Sequence, residues 1–346
     1  MIRSTIPSIT SPQVLFHLPR RMLDHCFAPQ DLQRLAKSFH CHFPTGNEDD
    51  ELNDAWLANA SETMAVVTGW DSPRITEAML AIAPRLEAII HAAGSIRPFI
   101  PDSVWDSSIR IATANEALGK GVAETSLGLI IAALKGFFPC SQLTRSGDWQ
   151  SALPKRGFGR VRELYNVKIG IIGASRTGRH VLRLLNSFDA EILLYDPTIT
   201  DADAIALGTR RVSLHDLMKL SDVVSLHAPA LPQLRHMLGS AELSIMKDDA
   251  ILINTARGML IDEGALIQEL STGRISAILD VTNPEPPQPN HPFRALPNVT
   301  LLPHIAGAIS TGSLRQGHSV VDQLLELQQG LPMHGEISRA NFEIMA

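Results

Sequence analysis

Three charged side chains follow directly on apolar stretches of the chain: Arg257 after residues 251–256, Glu285 shortly after 278–281, and His304 after 300–303. Such stretches read as buried strands, and in open α/β sheets ligands gather beyond the carboxyl ends of the strands. An imidazole that titrates near neutrality can donate or abstract a proton, and a carboxylate beside it stabilises the imidazolium. A planar guanidinium can hold a carboxylate through two hydrogen bonds, which a lysine cannot match. Each residue alone is an ordinary loop or surface group; placed at three strand ends, they can face one crevice.

A second pattern lies upstream. Residues 169–178, Ile-Gly-Ile-Ile-Gly-Ala-Ser-Arg-Thr-Gly, read as a strand, a tight turn and a helix start. They approach the Gly-x-Gly-x-x-Gly dinucleotide motif, with Gly173 and Gly178 in place and Ser175 where the middle glycine belongs. That glycine lets backbone approach a pyrophosphate, so the exchange weakens the motif. Ser175 can instead offer its hydroxyl to phosphate, and Arg176 and Thr177 open the helix whose N-terminus favours anions. Asp196 ends the next strand, where a carboxylate can accept hydrogen bonds from ribose hydroxyls. It would repel a 2′-phosphate and no arginine follows in 197–200, so NAD is favoured over NADP.

These residues need elements to position them. Strands are expected at 168–172, 191–195, 223–227, 250–254, 277–281 and 299–302, with helices between most of them, hence a mostly parallel sheet covered on both faces. Upstream, strands at 13–17, 64–68, 86–91 and 109–112 and helices near 31–38 and 75–83 form a smaller α/β unit. An apolar helix over 122–137 leads into loops at 146–149 and 154–159. A last helix over 313–329 is placed back against the first unit. The expected division is therefore 1–118 with 309–346 as one discontinuous domain, and 119–308 as a continuous nucleotide-binding domain.

Composition narrows the classes further. The chain has 346 residues and a formal net charge of −6, which provides no general drive toward nucleic acid or an anionic membrane. The strongly apolar run 127–134 is too short to span a bilayer and the N-terminus lacks a signal-peptide core, so a soluble, unexported protein is expected. Cys26, Cys41 and Cys140 are odd in number and include no Cys-x-x-Cys pair. A disulfide framework and a metal site are both disfavoured, and a reducing cytoplasm fits.

The ordered motifs resemble those of the D-isomer-specific 2-hydroxyacid dehydrogenases. They are Gly121-Val122-Ala123-Glu124, the segment 221–229, Asn254-Thr255-Ala256-Arg257-Gly258, Leu279-Asp280-Val281 with Pro284-Glu285-Pro286, and Pro303-His304-Ile305-Ala306-Gly307. The resemblance implies a Rossmann-type NAD-binding domain with a discontinuous, flavodoxin-like substrate-binding domain. It implies an NAD-dependent oxidoreductase that interconverts a 2-oxo acid and a D-2-hydroxy acid. His304 would be the acid/base, Glu285 its partner, and Arg257 the group binding substrate carboxylate and carbonyl. Gly94 and Ser95 would offer backbone N–H groups to the substrate. Asp280 would hold the nicotinamide carboxamide, while His227, Ala228, Pro229, Thr255 and Ala256 would line the dinucleotide. A homodimer with domain closure is implied as well.

Three positions depart from the family pattern: Ser175, the pair Thr282-Asn283 where an aromatic-acidic pair is common, and Ile96-Arg97-Pro98, which lacks an acidic residue. Arg97 is read as a surface residue rather than a contact to a second anionic group. Rival readings are a formate- or phosphite-type dehydrogenase and an NAD-responsive, corepressor-like scaffold. The formate branch places Gln where Glu285 stands, and retention of all three charged residues favours an enzyme over a scaffold.

Overall fold

The computed structural model describes residues 11–152 and 161–344; the expected loop at 154–159 lies outside the described residues. In chain order the strands are β1 (Gln13–Phe16), β2 (His40–His42), β3 (Thr63–Thr68), β4 (Ala88–His91), β5 (Arg110–Thr113), β6 (Tyr165–Ile172), β7 (Asp189–Tyr195), β8 (Arg210–Arg211), β9 (Val223–Leu226), β10 (Ile251–Asn254), β11 (Ser276–Leu279), β12 (Val299–Leu301) and β13 (Glu336–Ile337). The chain divides into two compact units, one built from 1–118 and 309–343 and the other from 119–308.

In the first unit the sheet runs β2-β1-β3-β4-β5-β13. Its first five strands are parallel, in the flavodoxin-like order, and β13 closes the edge antiparallel to β5. Buried Phe16, Val67 and Ile90 from the strands meet Phe27, which follows helix Arg20–Cys26, and Val320 and Leu324 from helix Thr311–Gln328. Helix Thr311–Gln328 packs against helices Arg20–Cys26 and Pro29–Ala36. Gly317 permits that approach, since a Cβ there would stand 1.9 Å from the Cys26 carbonyl oxygen.

The second unit holds a seven-stranded parallel sheet in the order β8-β7-β6-β9-β10-β11-β12. Its central strands β9, β10 and β11 are buried on both faces, as a doubly wound sheet requires. Leu252 and Ala277 face one cluster, while Ile251, Ile253 and Ile278 face the other. This is the Rossmann-type α/β architecture expected from the sequence. Register then does the positioning: Ile172, Leu226, Asn254, Leu279 and Leu301 form one row across five strands. Gly173, His227, Thr255 and Asp280 each follow that row and leave the sheet at the same edge.

Helix Asn115–Leu134 begins earlier than expected and stops where Gly136 turns to φ 64°. Among the described residues it is the one helix long and apolar enough to cross a membrane, a property not evident from the run 127–134 alone. Ala123, Ile130 and Leu134 are buried in the second unit's core beside Ile169 and Val181, the use to which an apolar helix is put inside a protein. The following segment departs further, because a helix, Phe137–Arg145, forms there with none of its residues buried.

Candidate active site

The glycine turn is built by close backbone approach. Gly173 has φ 100°, and a Cβ there would lie 2.7 Å from the Ala228 nitrogen. At Gly178 a Cβ would lie 2.1 Å from the Gly173 carbonyl oxygen. Neither position tolerates a side chain. Ser175, by contrast, has φ −58° and ψ 173°, ordinary for an L-residue, and its hydroxyl oxygen accepts from the Gly178 N–H at 3.2 Å. The middle position of the motif thus carries the N-cap of helix Arg176–Leu185 rather than a strained backbone. Arg176 and Thr177 form the first turn of that helix. The tight turn, the absence of side chains at both glycines and the helix N-terminus together form a cradle that fits a dinucleotide pyrophosphate.

Asp196 follows β7. One carboxylate oxygen accepts from the Ala174 N–H at 2.7 Å, and the other accepts from the Thr198 backbone N–H at 2.8 Å and hydroxyl at 2.6 Å. It is therefore held against the glycine turn. His227 is buried, with Nε2 3.0 Å from the Ser225 hydroxyl, and desolvation pushes its pKa down to about 3. Ala228 and Pro229 continue the strand end beside Gly173. Thr255 is buried with its hydroxyl 3.0 Å from that of Ser126, and the Ala256 N–H donates to the Asn254 side-chain oxygen at 3.0 Å.

Asn254 also donates from Nδ2 to the Arg257 carbonyl at 3.0 Å, so one amide side chain shapes the turn that carries the arginine. Arg257 is exposed, its Nη1 donating to the Ala256 carbonyl at 2.7 Å. Desolvation by the surrounding protein lowers its pKa, and the charge of Glu285 opposes that effect. Gly258 comes next, where a Cβ would lie 2.2 Å from the Thr282 carbonyl carbon and oxygen. The Arg257 turn and the loop carrying Glu285 therefore meet backbone to backbone.

Within that second unit the structure brings His304 and Glu285 together: His304 Nδ1 lies 2.5 Å from Glu285 Oε1. The bond commits Nδ1 and leaves Nε2 as the nitrogen for any other partner. Both side chains are about half-exposed. His304 has φ 55°, a left-handed conformation that costs energy in a non-glycine residue and persists only where its surroundings enforce it. The enforcing group is Asp280. Its backbone carbonyl accepts from His304 N–H at 2.9 Å, and its buried carboxylate accepts from the N–H groups of Ile305 at 2.8 Å and Ala306 at 2.9 Å.

Gly94 and Ser95 lie in the first unit, in the loop after β4, both half-buried. A Cβ at Gly94 would lie 2.8 Å from Leu118 Cδ2. Beneath that loop His91 is fully buried, its Nδ1 3.0 Å from the Thr68 hydroxyl and its ring stacked on Phe99 at 4.8 Å. Burial drops its pKa to about 3, which keeps it neutral. Arg97 is exposed and lies 4.2 Å over the Phe342 ring, donating to the Phe342 carbonyl. Neither a role for Asn254 or His91 nor the anchoring use of Asp280 was evident from the sequence. Only the position of Asn254 and Asp280 at the ends of apolar strands offered a signal.

Residues 127–306 match the family model described as D-isomer specific 2-hydroxyacid dehydrogenase, NAD binding domain. The chain is 32% identical over 279 residues to a glyoxylate reductase of Aeropyrum pernix, a match covering 79% of this chain and 82% of that one. It is 31% identical over 259 residues to a D-3-phosphoglycerate dehydrogenase of Methanocaldococcus jannaschii, covering 74% of this chain but only 48% of that longer protein. Among solved structures, D-mandelate dehydrogenase of Rhodotorula graminis shares the fold, with a TM-score of 0.81, 21% identity and coverage of 95% and 98% of the two chains.

Proposed function

Since the chain belongs to the D-isomer specific 2-hydroxyacid dehydrogenase family, and is thereby a nicotinamide-dependent oxidoreductase, we propose that it interconverts a 2-oxo acid and a D-2-hydroxy acid with NAD(H). The observation that carries this reading is the 2.5 Å bond between His304 and Glu285 beyond the carboxyl edge of the parallel sheet. Reduction of a ketone leaves an alkoxide that needs a proton. His304 Nε2 donates it, and Glu285 at Nδ1 orients the ring and stabilises its charged form. Arg257 holds the substrate carboxylate and polarises the carbonyl, and Gly94 and Ser95 are proposed to offer backbone N–H groups to the substrate.

Bound NADH supplies the hydride. Gly173, Ser175, Arg176, Thr177 and Gly178 hold its pyrophosphate, and Asp196 accepts from the adenosine ribose hydroxyls, which favours NAD over NADP. His227, Ala228, Pro229, Thr255 and Ala256 line the dinucleotide, and Asp280 faces the carboxamide while fixing the backbone after His304. In the oxidative direction the same imidazole removes the hydroxyl proton.

The protein acts as a cytoplasmic homodimer in this reading. Support for the dimer comes from helix Phe137–Arg145, which buries none of its residues and leaves Phe137 and Phe138 exposed beside Leu143 and Trp149. Following NADH absorbance with glyoxylate, pyruvate, hydroxypyruvate, phenylpyruvate and longer 2-oxo acids tests the activity. Turnover of at least one is expected, and failure with the whole panel, in both directions, would refute it.

A further inference from the structure

We propose that Glu263 is a positioning residue for the proton-transfer pair, tying the turn that carries Arg257 to the loop that carries Glu285. This rests on the assignment of His304 and Glu285 given above. The loop 283–291 contains Pro284, Pro286, Pro287 and Pro289, which have no N–H, so backbone hydrogen bonds can hold it at few points. Glu263 grips both of its ends. Oε1 accepts from the Asn283 N–H at 2.8 Å, and Oε2 lies 3.4 Å from His291 Nε2. His291 Nδ1 accepts from the Phe293 N–H at 3.4 Å, which assigns the proton to Nε2 and directs it at the carboxylate.

Glu263 is itself well placed to act as an anchor. It is the first residue of helix Glu263–Ser271, whose N-cap Asp262 accepts from the Ala265 N–H at 3.1 Å. Only Ile261 separates that cap from the turn Gly258–Leu260 after Arg257. Its side chain is mostly buried, and desolvation raises its pKa, while the Asn283 N–H and the imidazoles of His291 and His236 act in the opposite sense. The far side of the loop has separate supports, with Arg294 donating to the carbonyls of Pro287 at 2.9 Å and Gln288 at 3.1 Å. Glu263 therefore governs the neck next to Glu285, where the contact between Gly258 and Thr282 leaves no slack.

The test compares Glu263→Ala, Glu263→Asp and Glu263→Gln with the wild-type protein, using a 2-oxo acid turned over by the wild type. Aspartate is one methylene too short to span both anchors, whereas the glutamine carbonyl can still accept from Asn283, the anchor next to Glu285, and loses only the longer contact to His291. We expect kcat to fall about 10- to 100-fold in the Ala and Asp variants, as a displacement near 1 Å produces. KM and NADH affinity should stay near wild type, the primary isotope effect with deuterated NADH should rise, and Gln should restore most of kcat. If Ala does not fold, the contrast between Asp and Gln decides. Wild-type kcat in Asp, a loss in Gln as deep as in Asp, or a change confined to KM would each overturn the proposal. His304→Gln, assayed alongside, separates the two ideas: if it retains full turnover the site assignment fails, and if it alone is inactive only the role of Glu263 fails.

Discussion

At the scale of single residues, the site depends on backbone surfaces that touch. Gly258 is the sharpest case, since a methyl group there would penetrate the Thr282 backbone. Gly258→Ala is expected to destabilise the protein by about 2 kcal/mol or more, the cost of overpacking against atoms that cannot rotate away. It should also lower substrate affinity, because the preceding residue is Arg257; a variant with unchanged urea midpoint and unchanged KM would contradict this. Asp280→Asn keeps the side-chain shape but replaces one acceptor by a donor facing the Ile305 or Ala306 N–H. Leaving such a buried pair opposed costs about 1–3 kcal/mol, and kcat should fall. Equal kcat in the Asp280→Asn variant and the wild type would show that the clamp does not hold His304. Arg257, Glu285 and His304 could be singled out in the sequence because three charges each follow an apolar stretch, a pattern that no one of them carries alone. The clamps were not, because a carboxylate satisfied by backbone N–H groups has no spacing signature.

At the scale of elements, the strands of the large sheet were legible from runs of Ile, Val and Leu, since burial on both faces leaves no polar alternation to confuse. The edges were harder. The two-residue strands β8 and β13 contain Arg210–Arg211 and Glu336–Ile337, and only pairing with a neighbour makes them strands. Helix Phe137–Arg145 was read as the approach to a loop, because it shows no apolar stripe for its own unit to bury. That exposed helix gives a prediction. Replacing Phe137 and Phe138 together by Glu should convert a dimer into a monomer in sedimentation velocity. A wild-type protein that already sediments as a monomer would remove the proposed interface.

For the whole molecule, acid sensitivity follows from three buried imidazoles. Desolvation holds His17, packed 5.2 Å from Trp56, down to about 4, with the Leu52 backbone opposing, and holds His91 and His227 down to about 3. The folded state prefers each of them neutral, whereas the unfolded chain takes up a proton near pH 6.5. Stability is therefore fully present above about pH 6.5 and lost as pH falls toward the folded values, by about 1.4 kcal/mol per pH unit for each group. Urea midpoints should drop steeply between pH 7 and pH 5, and His17→Phe should flatten the slope. Equal midpoints at both pH values would contradict the neutral assignment.

The most direct test is single-turnover oxidation of bound NADH by a 2-oxo acid in wild-type and His304→Gln proteins, with NADH affinity measured in parallel. The hydride-transfer step should slow by about 10²- to 10⁴-fold, as removal of a general acid does, while NADH affinity is unchanged. An equal rate in the two proteins would contradict the assignment of His304 as the proton donor.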